Sequence, residues 1–326
     1  MGQSTTIAWT DATWNPLRGC TEISPGCAHC YAAAIAARFG GPGKPFEGLA
    51  YRDANGKAHW TGKIATAPDK LREPLTWRKP RMVFVNSMSD LFHEDVPETY
   101  IAAVFGLMGI ASAHTFQVLT KRAARMADVL SRLTWDQCLS ALSTTYPYSL
   151  TAGGVVPSWP LPNVWLGVSV ENQKCADERI PHLLRTPARV RFLSCEPLLE
   201  SVEIGWAMPC EVNARPPHFL AGCYKRGIDW VICGGESGPG ARPCKIAWIR
   251  SIVRQCRAAS VPCFVKQLGS KPQHVTMYGM SERPDVPDIV EYGPLLLRDA
   301  KGGNPEEWPE DLRVREWPTL TEGGER

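Results

Sequence analysis

Met82-Val83-Phe84-Val85-Asn86-Ser87-Met88-Ser89-Asp90 runs four apolar residues straight into a polar cluster. Apolar at consecutive rather than alternate positions, such a run suits a strand buried on both faces of a parallel sheet. The same order recurs along the chain. Residues 116–119 (FQVL) meet Thr120-Lys121-Arg122, residues 164–168 (VWLGV) meet Ser169-Val170-Glu171-Asn172, and residues 190–193 (VRFL) meet Ser194-Cys195-Glu196-Pro197. Residues 230–233 (WVIC) meet Gly234-Gly235-Glu236-Ser237, and residues 262–265 (PCFV) meet Lys266-Gln267. Between these runs, residues 99–110, 121–133 and 247–259 have helical spacing, the last with Arg250, Arg254 and Arg257 on a polar face.

Strands alternating with helices mean repeated βαβ units. With one further strand near the first cysteines, the pattern predicts an α/β protein, a complete or partial parallel β/α (TIM-like) barrel over residues 1–270. An open doubly wound sheet is the alternative. Residues 40–80, 134–163 and 205–228 break the rhythm and read as loop insertions. Residues 271–326 read as a C-terminal appendage packed on the barrel. Parallel α/β folds place their sites at the C-terminal ends of the strands. Asn86, Asp90, Lys121, Arg122, Ser169, Glu171, Glu196, Glu236 and Lys266 are therefore expected to converge on one mouth. Caps and turns account for one or two such residues, but not for a polar set at all six strand ends.

The 326 residues suffice for a large core, and 44% hydrophobic with 21% charged residues is an ordinary globular composition. Mean hydropathy is -0.20. No apolar run approaches the roughly 20 residues that cross a bilayer, and the N-terminus lacks the pattern of a signal peptide. A cytoplasmic protein with no membrane association is predicted, in which the 12 cysteines are thiols or metal ligands. A net charge of +3 neither implies nor excludes a nucleic-acid partner.

Three of those cysteines stand together in Gly19-Cys20-Thr21-Glu22-Ile23-Ser24-Pro25-Gly26-Cys27-Ala28-His29-Cys30-Tyr31-Ala32, spaced C-x6-C-x2-C. A structural zinc wants four ligands in paired hooks, and no second CxxC exists. His29 is a poor fourth ligand, because adjacent residues rarely reach one tetrahedral ion. A redox pair at Cys27 and Cys30 leaves Cys20 idle. Three thiolates on one loop suit a [4Fe-4S] cluster with one iron open. Ser24-Pro25-Gly26 lets the loop fold back, and a helix starting at Tyr31 would turn its N-terminus to the negative cluster. Of the other nine cysteines, Cys138, Cys175, Cys210, Cys223, Cys244, Cys256 and Cys263 read as core thiols. Cys195 and Cys233, at strand ends, are candidate radical or hydrogen-atom donors.

A three-cysteine loop ahead of a β/α barrel resembles the radical S-adenosylmethionine superfamily. More closely, the chain is similar to an uncharacterised bacterial and phage protein family with a three-cysteine motif. The matching stretches are Trp14-Asn15-Pro16, residues 19–32, FVNSMSDLFHEDVP (84–97), HTFQVLTKR (114–122), WLGVSVEN (165–172), RFLSCEPLL (191–199), DWVICGGESGPGARP (229–243) and FVKQLG (264–269). Two details depart from the superfamily. Its commonest first gap has three residues rather than six, and His29 stands where an aromatic usually precedes the third cysteine.

The superfamily resemblance implies that Cys20, Cys27 and Cys30 hold three irons while S-adenosylmethionine binds the fourth and yields a 5′-deoxyadenosyl radical. It implies cofactor contacts from Asn86, Ser87 and Asp90 to the methionyl amine and from Lys121 or Arg122 to its carboxylate. Ser169 and Glu171 would face the ribose, with Glu196, Gly234 and Gly235 on the adenine side. Glu236 and Lys266 join Cys195 and Cys233 as the candidate catalytic set. The resemblance further implies a reductant such as a flavodoxin or ferredoxin, and leaves room for a partner protein encoded nearby. A DNA-lesion lyase of that superfamily, and Arg72, Arg78, Lys79 and Arg81 around Trp77, favour a nucleic-acid substrate, by DNA repair or base modification. A peptide or metabolite substrate is the alternative, as is a non-catalytic nucleic-acid-binding protein with a structural cluster or zinc.

Overall fold

A computed structural model of the chain describes residues 5–145, 157–209, 227–279 and 289–319. Seven strands form one sheet in sequence order: β1 (Ala12–Trp14), β2 (Met82–Val85), β3 (Thr115–Thr120), β4 (Val164–Ser169), β5 (Val190–Cys195), β6 (Trp230–Gly234) and β7 (Cys263–Gln267). The pairs β1–β2, β2–β3, β3–β4 and β6–β7 are parallel. An order that never reverses has no topological switch point, so the doubly wound alternative does not describe this sheet. Among the described residues β1 and β7 are its end strands and no ladder joins them. A mixed α/β fold on a parallel sheet is therefore established, without closure into a full barrel. Among the described residues six α-helices of eight or more residues accompany the strands: α1 (Tyr31–Arg38), α2 (Glu98–Ile110), α3 (Ala123–Arg132), α4 (Trp135–Thr145), α5 (Gln173–Arg185) and α6 (Ile246–Ala258).

Two compact units divide the chain, one of Met1–Ser169 with Glu178–Phe192, the other of Val170–Asp177 with Leu193–Arg326. In the first unit the strands are buried on both faces, as their unbroken apolar runs require. Trp14 is fully buried against Phe116, ring centroids 5.6 Å apart, and its indole N–H donates to the Lys70 carbonyl at 2.8 Å. On the other face Phe84, Gln117 and Trp165 stand in register, with Trp9 4.8 Å from the Phe84 ring. Helix α2 is buried nearly all round because α4 packs across it. A Cβ on Gly106 would come within 2.6 Å of the Cys138 carbonyl oxygen, and one on Gly109 within 2.4 Å of the Trp135 ring. These two glycines let the helix backbones approach. Thus part of the segment expected as the 134–163 insertion is a core helix, with Trp135, Cys138 and Leu142 at readable helical spacing. The 40–80 segment holds a hairpin of Ala50–Arg52 and Ala58–Trp60, and a strand Ala65–Thr66 antiparallel to Leu17–Arg18.

His114 carries a testable consequence of this packing. Its Nε2–H donates to the Pro74 carbonyl at 3.0 Å, while Nδ1 is buried with no hydrogen-bond partner and the Trp77 ring stands edge-on at 5.4 Å. Burial lowers its pKa, and His93 and His182 are lowered by burial too. The unfolded chain therefore binds more protons than the native one below the ordinary histidine value of about 6.5. Stability is complete above that pH and falls as pH drops through it. The urea midpoint is expected to fall between pH 7.5 and 5.5, and His114→Gln to flatten part of that slope.

In the second unit Val231 and Cys233 of β6 lie opposite Cys263 and Val265 of β7, under α6. Trp230 and Phe264 take the other face, 6.3 Å apart, and Trp317 packs on Phe264 at 4.8 Å. The free edge of β7 is covered by the chain near its end: Val265 N–H donates to the Val314 carbonyl and Glu316 N–H to that of Cys263. An edge satisfied in this way is not open for further pairing. Cys244–Lys245, Pro272–Gly279 and Ile289–Pro294 form a separate three-stranded sheet. Cys210, Cys223 and most of the 205–228 segment lie outside the described residues, as do residues 146–156.

Candidate functional site

The cysteine loop is built around a short turn. Cys27 N–H donates to the Ser24 carbonyl, Ala28 N–H to Pro25 and Cys30 N–H to Cys27, so Pro25–Cys27 forms a single 3-10 turn. Cys30 then caps α1, as the sequence predicts. Cys20, Cys27 and Cys30 are all half-buried and none is in a disulfide. Cys20 and Cys30 pack on a cluster of Ala32, Ala33, Ala36, Phe46, Leu49, Trp60 and Met88. Burial pushes the Cys20 thiol up to about 12, with Asp90 adding to the rise, Arg122 opposing it, and Cys27 and Cys30 both close enough to contribute. His29 is exposed.

Asp90 is the knot of the neighbouring loop. Its carboxylate accepts from the Phe92 N–H at 3.0 Å, the Thr120 hydroxyl at 2.6 Å and the Lys121 N–H at 3.0 Å. Arg122 completes it, with Nη1 3.3 Å from Asp90 Oδ2 and Nε 2.7 Å from Glu94 Oε2. The same Nη1 lies 3.9 Å from Cys20 Sγ. Hydrogen bonding from Arg122 holds the Glu94 carboxyl down at about 2. Sequence pattern pointed to Asp90 and Arg122 as cofactor contacts; the structure spends all of Asp90 on joining β2 to β3, while Arg122 Nη2 is buried with no hydrogen-bond partner. Behind them, Asp95 N–H donates to His93 Nδ1 at 3.2 Å, so Nε2 carries the proton and donates to Thr21 Oγ1 at 2.8 Å. That bond pins the residue after Cys20. His93, inside a matched stretch, received no role from the sequence.

Asn86 is different in kind. It has a left-handed φ of 61°, is only 3% exposed, and neither Oδ1 nor Nδ2 has a hydrogen-bond partner. Buried side-chain amides are ordinarily satisfied, and a left-handed non-glycine residue adds strain. Ser87, by contrast, is committed: its hydroxyl donates to Asn15 Oδ1 at 3.2 Å, and its carbonyl accepts from the Tyr31 hydroxyl at 2.9 Å. Asn15, in the Trp14-Asn15-Pro16 stretch, thus holds the loop, accepting from Met88 N–H as well. Lys121 lies beside it half-buried, and Ser169 is buried at the end of β4.

The second unit gathers the remaining candidates. Glu196 accepts from Lys266 Nζ at 2.6 Å and from Gln267 Nε2 at 3.1 Å. Glu236 is held by Arg242 through Nη2 at 2.7 Å, Nε at 3.0 Å and the backbone N–H at 2.8 Å. Gly234 and Gly235 lie where β6 approaches the chain after β7, and a Cβ on Gly235 would meet the Leu268 carbonyl oxygen at 2.3 Å. Glu171 is fully buried and near enough to Cys195 to raise its pKa, after the larger effect of burial. Cys195 and Cys233 are fully buried, and with Cys256 and Cys263 they form a nest of thiols. Their mutual closeness holds the Cys263 thiol low and pushes those of Cys233 and Cys256 up. Cys233 thus lies under α6, on the sheet face away from Lys266. Trp77 also proves a core residue, with Arg81 5.2 Å over its ring, so it offers no exposed stacking face.

Among the described residues, no three His, Cys, Asp or Glu side chains could hold one metal ion as they stand. A single zinc needs such a cage. A polynuclear cluster takes its thiolates on different irons and so spreads them. Three free thiols on one loop, a guanidinium beside one of them and an unsatisfied amide on the adjoining loop fit that group's donor set. None of the described helices is long and apolar enough to cross a membrane.

An α/β protein with a three-thiol loop beside strand-end polar groups is the class that fold and site define. The chain belongs to a family described as protein of unknown function (DUF5131), whose profile matches residues 4–293. No curated protein and no solved structure matches it.

Proposed function

We propose that this protein is an iron–sulfur enzyme of the radical S-adenosylmethionine type, built on a partial β/α barrel and acting on nucleic acid. The observation that supports it most is the pairing of three free thiols on one loop with the unsatisfied amide of Asn86 on the next. Cys20, Cys27 and Cys30 would hold the cluster, and the apolar bed of Ala32, Ala33 and Met88 against which Cys20 and Cys30 pack would keep water from that side of it. When bound, the cluster and the sulfonium cofactor supply one-electron bond cleavage. Asn86 would offer a donor and an acceptor together to the polar end of the cofactor. Arg122 would place positive charge beside the Cys20 thiolate, countering the burial that keeps that thiol protonated without a metal. Asp90 and His93 act as positioning residues, fixing Arg122 and Thr21.

The test is anaerobic purification followed by reduction in the presence of S-adenosylmethionine. The protein is expected to be brown, to lose its visible band on Cys27→Ala, and to release 5′-deoxyadenosine and methionine. A colourless protein holding one zinc would overturn the reading. A brown protein releasing no 5′-deoxyadenosine would leave a structural cluster.

A further inference from the structure

Helix α1 is inverted. It buries its small residues, Ala32, Ala33 and Ala36, and exposes its large ones. Tyr31, Ile35 and Phe39, at helical spacing, are 54%, 36% and 41% exposed, and Ile23 of the cysteine loop is exposed as well. Tyr51, on the hairpin packed against α1, is 52% exposed and its ring stacks on His59 at 5.6 Å. Five of the eight large hydrophobic side chains found exposed among the described residues thus fall between residues 23 and 51. Such a concentration marks an interaction surface rather than scattered exposure.

Charge identifies the occupant. Residues 31–63, the helix and the hairpin packed on it, carry five Lys and Arg against two Asp and Glu, a net +3 that equals the charge of the whole chain. The acids nearest the stripe are engaged: Glu22 and Asp53 with His59 at 3.2 and 3.3 Å, and Glu47 with the Gly43 N–H at 2.7 Å. Arg38 lies 5.3 Å over the Phe39 ring. Lys44, Lys57 and Lys63 are exposed, and no carboxylate pairs with them among the described residues. Exposed rings beside uncompensated cations suit a polyanion with accessible π-faces, which is a single-stranded nucleic acid. The Tyr31 hydroxyl, bonded to the Ser87 carbonyl, ties this surface to the loop that carries Asn86.

We infer that Tyr31, Phe39 and Tyr51, with Arg38 and the neighbouring lysines, form a platform that binds single-stranded nucleic acid and leads it to the cysteine-loop site. In calling that strand the substrate the inference rests on the proposed function; the binding itself does not.

The test is fluorescence anisotropy of the whole 326-residue chain, purified anaerobically, with a labelled 20-nucleotide oligothymidylate. Tyr31→Ala/Phe39→Ala is expected to raise Kd at least about tenfold, since base–aromatic stacking dominates such sites. Tyr31→Phe keeps the ring and should bind as the unaltered protein does. Lys57→Glu/Lys63→Glu should reduce the salt slope by about 0.7 for each phosphate no longer neutralised. No binding, equal affinity for duplex, or an unaffected alanine double variant would overturn the platform. So would a double variant that binds the oligonucleotide normally but can be reduced only by dithionite and no longer by a small acidic flavoprotein. That result would assign the stripe to a protein reductant. Oligonucleotide binding without 5′-deoxyadenosine release would retain the platform and remove the radical chemistry, so the two failures are distinguishable.

Discussion

Arg122→Leu is expected to lower the unfolding free energy by about 3–5 kcal/mol, because it strands a buried carboxylate. Asp90 and Arg122 side chains are 7% and 8% exposed. Without the guanidinium, Asp90 keeps its bonds from Phe92, Thr120 and Lys121 but loses its countercharge. The exposed Glu94 loses less, since water replaces Arg122 there. Tryptophan-detected urea titration measures the effect. Asp90→Asn in the same chain should recover part of the loss, because the amide accepts from Phe92 and Thr120 without leaving a charge. A cost below about 1 kcal/mol for Arg122→Leu would show that the pair is solvated and that Asp90 does not fasten β2 to β3.

Asn86→Gly should behave in the opposite way, leaving stability within about 1 kcal/mol while weakening binding of the proposed cofactor. Glycine accepts the left-handed backbone without penalty. The amide it removes makes no hydrogen bond within the protein, so none of the usual cost of about 1–3 kcal/mol for breaking a satisfied buried group applies. Binding of S-adenosylmethionine, read by equilibrium dialysis on the anaerobic protein, should weaken at least about tenfold if the amide supplies one charge-assisted contact. A loss of more than about 3 kcal/mol in the urea titration would instead make Asn86 a structural residue. Four residues apart, Asn86 and Asp90 thus contrast a buried amide with no hydrogen-bond partner and a carboxylate wholly engaged within the fold.

Much of the sheet was legible because burial on both faces writes an unbroken apolar run, and all six runs read from the sequence are strands. The helix after Cys30 was legible from its alanines and the turn before it. Helix α4 was hidden only by the loop-like residues that follow it. The polar ends of the strands were readable as residue types but not as roles. Asp90, Ser87 and Glu236 make hydrogen bonds to other side chains of the protein, whereas Asn86 does not, and nothing in the one-letter string distinguishes them.

By itself, the sequence determined the order of six strands and of the helices near residues 31, 99, 121 and 247, because local apolar periodicity responds to burial wherever the partner lies. It also determined that three thiols lie within eleven consecutive residues, with the Ser24-Pro25-Gly26 turn to fold that stretch back on itself. Only the tertiary structure decided which side chains meet across distance. Cys233 and Cys263 are thirty residues apart in the chain and share one sheet face under α6. Arg122 reaches back a hundred residues to Cys20. Trp77 is taken into the core, while Phe39 is left outside because Phe46, Leu49 and Trp60 fill the alanine face of α1 instead. Exposure of a ring, and satisfaction of an amide, depend on what packs against them, and that is set by the whole fold.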